Sequence, residues 1–180
     1  KPIYVVGGGK TGMDTAHALV QKYPHRAVHL IVGKGTVFAN RDKAFPKGMK
    51  RWWSGTIGLD LFMKLCLRFD GRNGQEVFEI FKREIGVYLE GTGQQYMFGV
   101  LSPAEKDFVE QGVSEVRADY LEDVIHTEQG PTAVYRSGER SAVAPGSWFI
   151  NCTGYILREA VPYEPYLSPH QTTVSIQASS

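Results

Sequence analysis

The chain has 180 residues, 42% of them hydrophobic and 22% charged, an ordinary globular composition for about one domain. Twenty Lys and Arg against nineteen Asp and Glu leave a formal charge of +1, so no overall field exists to hold a nucleic acid or an anionic membrane, and phosphate recognition has to be local. Cys66 and Cys152 form no Cys-x-x-Cys pair, the five histidines lack metal-ligand spacing and the apolar runs fall far short of a bilayer span; a metal site, a disulfide scaffold and a membrane partner are not expected, and a reduced, cytoplasmic setting is.

Ile3, Tyr4, Val5 and Val6 make a short apolar run without alternation, the pattern of a strand covered on both faces in a parallel sheet. It begins almost at once after Lys1, with no methionine before it, which gives the expectation that the chain is a piece of something longer. Glycines follow, and from there to Lys22 the residues Met13, Ala16, Ala18, Leu19 and Val20 fall mostly on one helical face, closed by Tyr23 and Pro24. A second apolar run spans residues 27–32. Strand, glycine turn, helix and strand within about 32 residues has the size of one βαβ unit.

Residues 33–58 read as a basic, glycine-rich loop. Residues 59–69 and 76–89 read as helices, the second with Asn73 and Glu76 spaced as a capping pair. A third helix is expected from Ser102, where Ser is a natural N-cap, Pro103 suits the first turn, Glu105 completes a capping box and Gly112 ends the segment. From residue 113 short β segments near 115–118, 121–127, 132–136 and 142–143 suggest an antiparallel meander, followed by an apolar strand over 147–152. Pro162, Pro165 and Pro169 predict an irregular tail, with an isolated strand at 173–176.

Gly7, Gly9 and Gly12 fit Gly-x-Gly-x-x-Gly, and each has a steric reason: a tight turn, close backbone approach to a pyrophosphate, and close packing of helix on strand. The amides at the helix start, with the dipole's positive end, suit a diphosphate. Gly8 lies within the turn, and Lys10 and Thr11 are placed to reach phosphate oxygens. A tight βα turn without a ligand, or a site for another adenosine compound, would use the same residues. After the second strand the usual ribose-binding carboxylate is missing: the chain reads Val32, Gly33, Lys34, Gly35, with Arg41 and Lys43 beyond. A cation at Lys34 suits a 2'-phosphate, so NADP(H) is expected over NAD(H), and FAD is not expected at this turn.

The segment 5–16, Val-Val-Gly-Gly-Gly-Lys-Thr-Gly-Met-Asp-Thr-Ala, with Phe149, Ile150, Asn151, Cys152, Thr153, Gly154 and Tyr155 after the meander, resembles the NADPH-binding domain of two-dinucleotide flavoproteins, closest to the flavin-containing monooxygenase group. The likeness covers residues 1–40 and 113–160; Cys152 stands where that group usually has Ala. It implies an FAD-dependent oxidoreductase in which this part delivers hydride to a flavin, with Thr153 and Gly154 nearest the flavin. A second fingerprint for FAD is absent, since residues 91–96 lack the last glycine. FAD is therefore expected on a separate domain.

The expectation is an α/β fold: a Rossmann-like parallel sheet with flanking helices and a small antiparallel meander. An NAD(P)-binding domain would span 1–160, with a helical insertion at 41–111, and the tail from 161 would return to the FAD domain. The cofactor-binding set is Gly7, Gly8, Gly9, Lys10, Thr11, Gly12, Lys34, Arg41, Thr153 and Gly154, with no side chain required as acid, base or nucleophile. Asp14 is accounted for by helix electrostatics. Lys47, Lys50, Arg51, Trp52 and Trp53 could stack single-stranded nucleic acid, but with so little net charge they are assigned to a domain interface or a lid. The competing reading from another class is a non-catalytic dinucleotide sensor. The small-molecule substrate is not legible.

Overall fold

The computed structural model describes residues 1–53 and 58–154. In chain order the strands are β1 (Ile3–Val6), β2 (Val28–Ile31), β3 (Thr36–Asn40), β4 (Gly86–Val87), β5 (Gln95–Leu101), β6 (Glu115–Arg117), β7 (Leu121–Thr127), β8 (Gly130–Tyr135), β9 (Arg140–Ala142) and β10 (Trp148–Asn151). The helices are α1 (Lys10–Lys22), α2 (Arg41–Ala44), α3 (Lys50–Trp53), α4 (Gly58–Arg68), α5 (Gly74–Glu84) and α6 (Pro103–Gly112).

The central sheet has the order β10-β1-β2-β6 and every pairing in it is parallel. β1 therefore lies between its sequence neighbour β2 and the far end of the chain, and the fold is of the Rossmann α/β type. Alternation sorts the strand residues onto two faces. Val5, Val28 and Leu30 join Met13, Ala16 and Val20 of α1 and Val109 of α6 in one core. Ala16 is fully buried, and Gly112 lets α6 close on α1, because a Cβ there would stand 2.1 Å from Val20 Cγ1. On the opposite face Tyr4 and Ile31 pack against Ala133, Tyr135 and Val143 of the meander region. There His29, Tyr4 and Phe149 occupy the same rung of three adjacent strands and stack ring on ring, each pair of centroids 4.6 Å apart.

The helix start at Ser102 follows the expectation in full. Its hydroxyl accepts from the Glu105 amide, the Glu105 carboxylate accepts from the Ser102 amide at 2.8 Å, and Pro103 occupies the first turn. Partial burial works to raise the Glu105 pKa, but the bonds from Ser102 and from the Arg41 guanidinium outweigh it and lower the value to about 2.

Other segments differ from the sequence reading. Residues 36–40 form a strand rather than loop: Phe38 enters the main core while Val37 and Ala39 face Leu65, Ile80, Phe81 and Ile85 of the helical insertion. β3 pairs with β5 in parallel and with β4 antiparallel, making a second three-stranded sheet. Helix α5 stops at Glu84, five residues short of the expected end, because residues 86–87 pair with β3; a Cβ at Gly86 would meet the Lys82 carbonyl at 2.5 Å. Asn73 is the N-cap residue of α5 and its side-chain amide donates to the Glu76 carboxylate at 3.3 Å, but its side chain caps no helix amide, accepting from the Asp70 amide and donating to the Arg68 carbonyl instead. Residues 115–117 belong to the parallel sheet, so the meander comprises only β7, β8 and β9. Tyr155, the tail and the strand expected at 173–176 lie outside the described residues.

Candidate dinucleotide site

Three strand ends meet at the carboxyl edge of the central sheet. The chain leaves β1 through Gly7, whose amide donates to the Ile31 carbonyl of β2, while the Cys152 amide after β10 donates to the Val6 carbonyl. α1 lies on one face, and the path from β6 to β10 runs through the meander on the other. The gap between β1 and β10 is therefore the switch point where open α/β sheets bind ligands.

Each fingerprint glycine answers to a different constraint. Gly7 has φ of +128°, and a Cβ on it would lie 2.5 Å from the Cys152 carbonyl oxygen. A Cβ on Gly12 would lie 1.9 Å from the Gly7 carbonyl oxygen, so the helix can sit on the strand end only without a side chain there. A Cβ on Gly8 would lie 2.6 Å from the Val32 carbonyl oxygen. Gly9 is unlike these three: its backbone is extended (φ −82°, ψ −176°), and among the described residues, its chain neighbours aside, a Cβ would meet no atom within 4 Å. The packing of the described residues does not exclude a side chain at Gly9, which is the position assigned to close pyrophosphate approach.

Gly9 is also the N-cap of α1, and it supplies no side-chain acceptor. The first bond of the helix runs from the Met13 amide to the Gly9 carbonyl at 3.1 Å. Among the described residues, no acceptor pairs with the amides of residues 8–12, and the first turn carries no acid. Amides and dipole together favour an anion here.

Lys10 and Thr11 are the first two helical residues rather than turn residues. The Lys10 ammonium is paired with Asp14 one turn along, and its stem stands beside Gly99 of β5. Thr11 is exposed. Thr153 turns its amide and hydroxyl inward to Asn151 Oδ1, at 3.0 and 2.7 Å, and Gly154 takes φ of +94°. Both follow Cys152 directly, so the second motif is brought against the first. Cys152 itself is half-buried, with its Sγ 3.6 Å from Thr15 Oγ1 on α1.

Lys34 caps the end of β2 in a turn between Gly33 (φ +61°) and Gly35 (φ +69°). Its side chain is exposed and has no ion-pair partner among the described residues. Arg41 is placed differently: its guanidinium donates to Glu105 at 2.6 Å and to the Val100 carbonyl at 3.3 Å, binding α2 to the start of α6. Its charge is already balanced within the insertion. Sequence proximity singled out Arg41, and sequence separation hid a second arginine close to the β2 turn.

Elsewhere, Trp52 and Trp53 are 78% and 76% exposed, with Lys47, Lys50 and Arg51 exposed beside them. A hollow of about 430 Å³ lined by Lys1, Tyr23, His25 and Arg26 opens at the amino edge of the central sheet, away from the glycine turn. No helix among the described residues is long and apolar enough to cross a membrane.

No protein-family model matches the sequence, and comparison with curated proteins gives no match. Among solved structures, the chain is similar to the reduced form of ornithine hydroxylase, PvdA, from Pseudomonas aeruginosa, with 19% identity and a TM-score of 0.42 over 86% of this chain and 36% of that one. It is also similar to PyrE3, a Diels-Alderase of pyrroindomycin biosynthesis, with 13% identity and a TM-score of 0.34 over 84% of this chain and 32% of that one. The chain spans about a third of the length of each.

Proposed function

We propose that this chain is the NADP(H)-binding part of an FAD-dependent oxidoreductase of monooxygenase-like type. The observation that carries the nucleotide reading is Gly9: it has open space before its Cα, it stands at the mouth of α1, and the surrounding amides have no acceptor among the described residues. A diphosphate fits that cradle, because main-chain donors and the helix dipole compensate its charge without a basic side chain.

In this reading residues 8–12 bind the diphosphate through their amides, and Lys34 holds the 2'-phosphate. Thr153 and Gly154, beside the first glycine, border the nicotinamide end. The two hydrogen bonds from Thr153 to Asn151 Oδ1 hold the Thr153 side chain at that rim. The bound nucleotide supplies a hydride, and a flavin on a separate domain is the acceptor. The chain's own residues orient and bind, and none has to move a proton.

The test is titration of the chain with NADPH and NADH. NADPH should bind more tightly by about tenfold, the worth of one charge-assisted contact. Equal affinities would remove Lys34 from the site, and failure of both to bind would remove the site itself.

A further inference from the structure

The turn that carries Lys34 is built against the meander. The Gly33 amide donates to the Asp119 carbonyl at 2.9 Å, and a Cβ on Gly33 would lie 2.6 Å from Cε1 of Tyr120. The Tyr120 ring is thus the surface on which the β2 turn rests. The same ring carries the guanidinium of Arg136, whose Cζ is 4.2 Å from the ring centroid. The Arg136 amide also donates to the Tyr120 carbonyl at 2.9 Å, which fixes the backbone from which the side chain reaches over the ring.

We propose that Arg136, laid on Tyr120, is the second cation of the 2'-phosphate site and, with Lys34, sets the preference for a phosphorylated adenosine ribose. This inference rests on the dinucleotide reading above. Four observations carry it. Arg136 is exposed, so its charge is available to a ligand. Its ion pair with Glu122 is long, 3.7 Å from Nε, and exposed on both sides, so it holds the guanidinium only weakly, and no hydrogen bond engages that group among the described residues. Stacking on an aromatic ring holds the planar fork in place, so little freedom is lost when it binds a phosphate. The other carboxylate at the turn, Asp119, is directed elsewhere: its oxygens accept from the Tyr120 amide and the Ser137 hydroxyl. Arg41 offers none of this, being half-buried and paired to Glu105.

The experiment is calorimetric titration of NADP+, NAD+ and 2'-AMP into the wild-type chain and the variants Arg136→Gln, Arg136→Lys and Arg41→Gln. Arg136→Gln should weaken NADP+ and 2'-AMP about tenfold while changing NAD+ less than twofold, the NAD+ value also showing that the fold is intact. Arg136→Lys, which keeps the charge but loses the flat stacking surface, should fall between. Arg41→Gln should leave the NADP+ to NAD+ ratio within twofold of wild type. An unchanged ratio in Arg136→Gln, or an equal loss for both dinucleotides, would overturn the assignment while leaving the glycine site standing. Binding of neither dinucleotide to the wild-type chain would instead mark failure of the underlying reading, and this inference would fall with it.

Discussion

Substituting alanine separately at Gly9 and Gly12 separates ligand recognition from folding within one four-residue stretch. At Gly12 the new methyl would sit 1.9 Å from the Gly7 carbonyl oxygen, about 1.4 Å inside a close C···O approach of about 3.3 Å. Both partners are backbone, one in β1's exit and one in α1, so the helix must lift off the sheet; a loss of about 3 kcal/mol or more is expected, the upper range for overpacking. At Gly9 the methyl enters open space at a φ that alanine adopts freely. Two small terms then oppose each other: alanine is a poorer N-cap than glycine by some tenths of a kcal/mol, and it restricts the unfolded chain by about 0.4–1 kcal/mol. Stability should therefore stay within about 0.5 kcal/mol of wild type. Binding should not, because a methyl holds a phosphate oxygen away from the amides and removes one or two charge-assisted hydrogen bonds of about 1.5–3 kcal/mol each. NADP+ affinity should fall at least tenfold. Thermal unfolding and calorimetric titration on both variants decide it: wild-type affinity in Gly9→Ala, or unfolding of Gly9→Ala as severe as that of Gly12→Ala, would refute the division of roles.

Lys34→Gln should bring NADPH and NADH affinities to within about twofold of each other, read by titration, with little change in melting temperature because the side chain is exposed. Glu105→Gln should cost about 1–2 kcal/mol at neutral pH in urea unfolding, since the cap and the Arg41 pair both lose their charge. The wild-type contribution has a defined pH window. The folded-state pKa is lowered to about 2 from an ordinary 4.5, so the stability it gives is complete above about pH 4.5 and is lost as pH falls toward 2; acid titration should show that limb in wild type and a shallower one in Glu105→Gln. Trp52→Ser with Trp53→Ser should alter stability by less than about 0.5 kcal/mol by thermal melting, because the rings are exposed, while removing a large part of the fluorescence.

The parts of the fold that were legible are those whose signals are local. The βαβ opening and the capped start of α6 each depend on residue types within a few positions of one another, and both stand as read. β3 escaped because Thr36, Val37, Phe38 and Ala39 are a four-residue run set among glycines and cations, and because what makes them a strand is pairing with β5, far along the chain. The residue pattern of β5 is in turn interrupted by Gly99, where a Cβ would lie 3.1 Å from the Phe38 ring, a tertiary reason invisible to periodicity. The third parallel strand was merged with the meander for a similar cause: Glu115, Val116 and Arg117 look like the strands after them, and only register with His29, Leu30 and Ile31 assigns them to the central sheet. At the site, Gly7 and Gly12 could be read because the steric need of a tight βα turn is local. Lys34 could be read from its place after the β2 run, whereas Arg136 could not, since only the fold sets the Tyr120 ring that it covers against the turn at Gly33.

Because Gly7 is shaped by the carbonyl of Cys152, the bend that opens the chain is finished by the strand that comes last among the described residues. During synthesis, at roughly 5–20 residues per second, Gly7 would acquire its final form only after Cys152 has emerged. Contacts of such long sequence separation form late and slowly. The glycine turn would thus take shape with completion of the sheet rather than with its beginning.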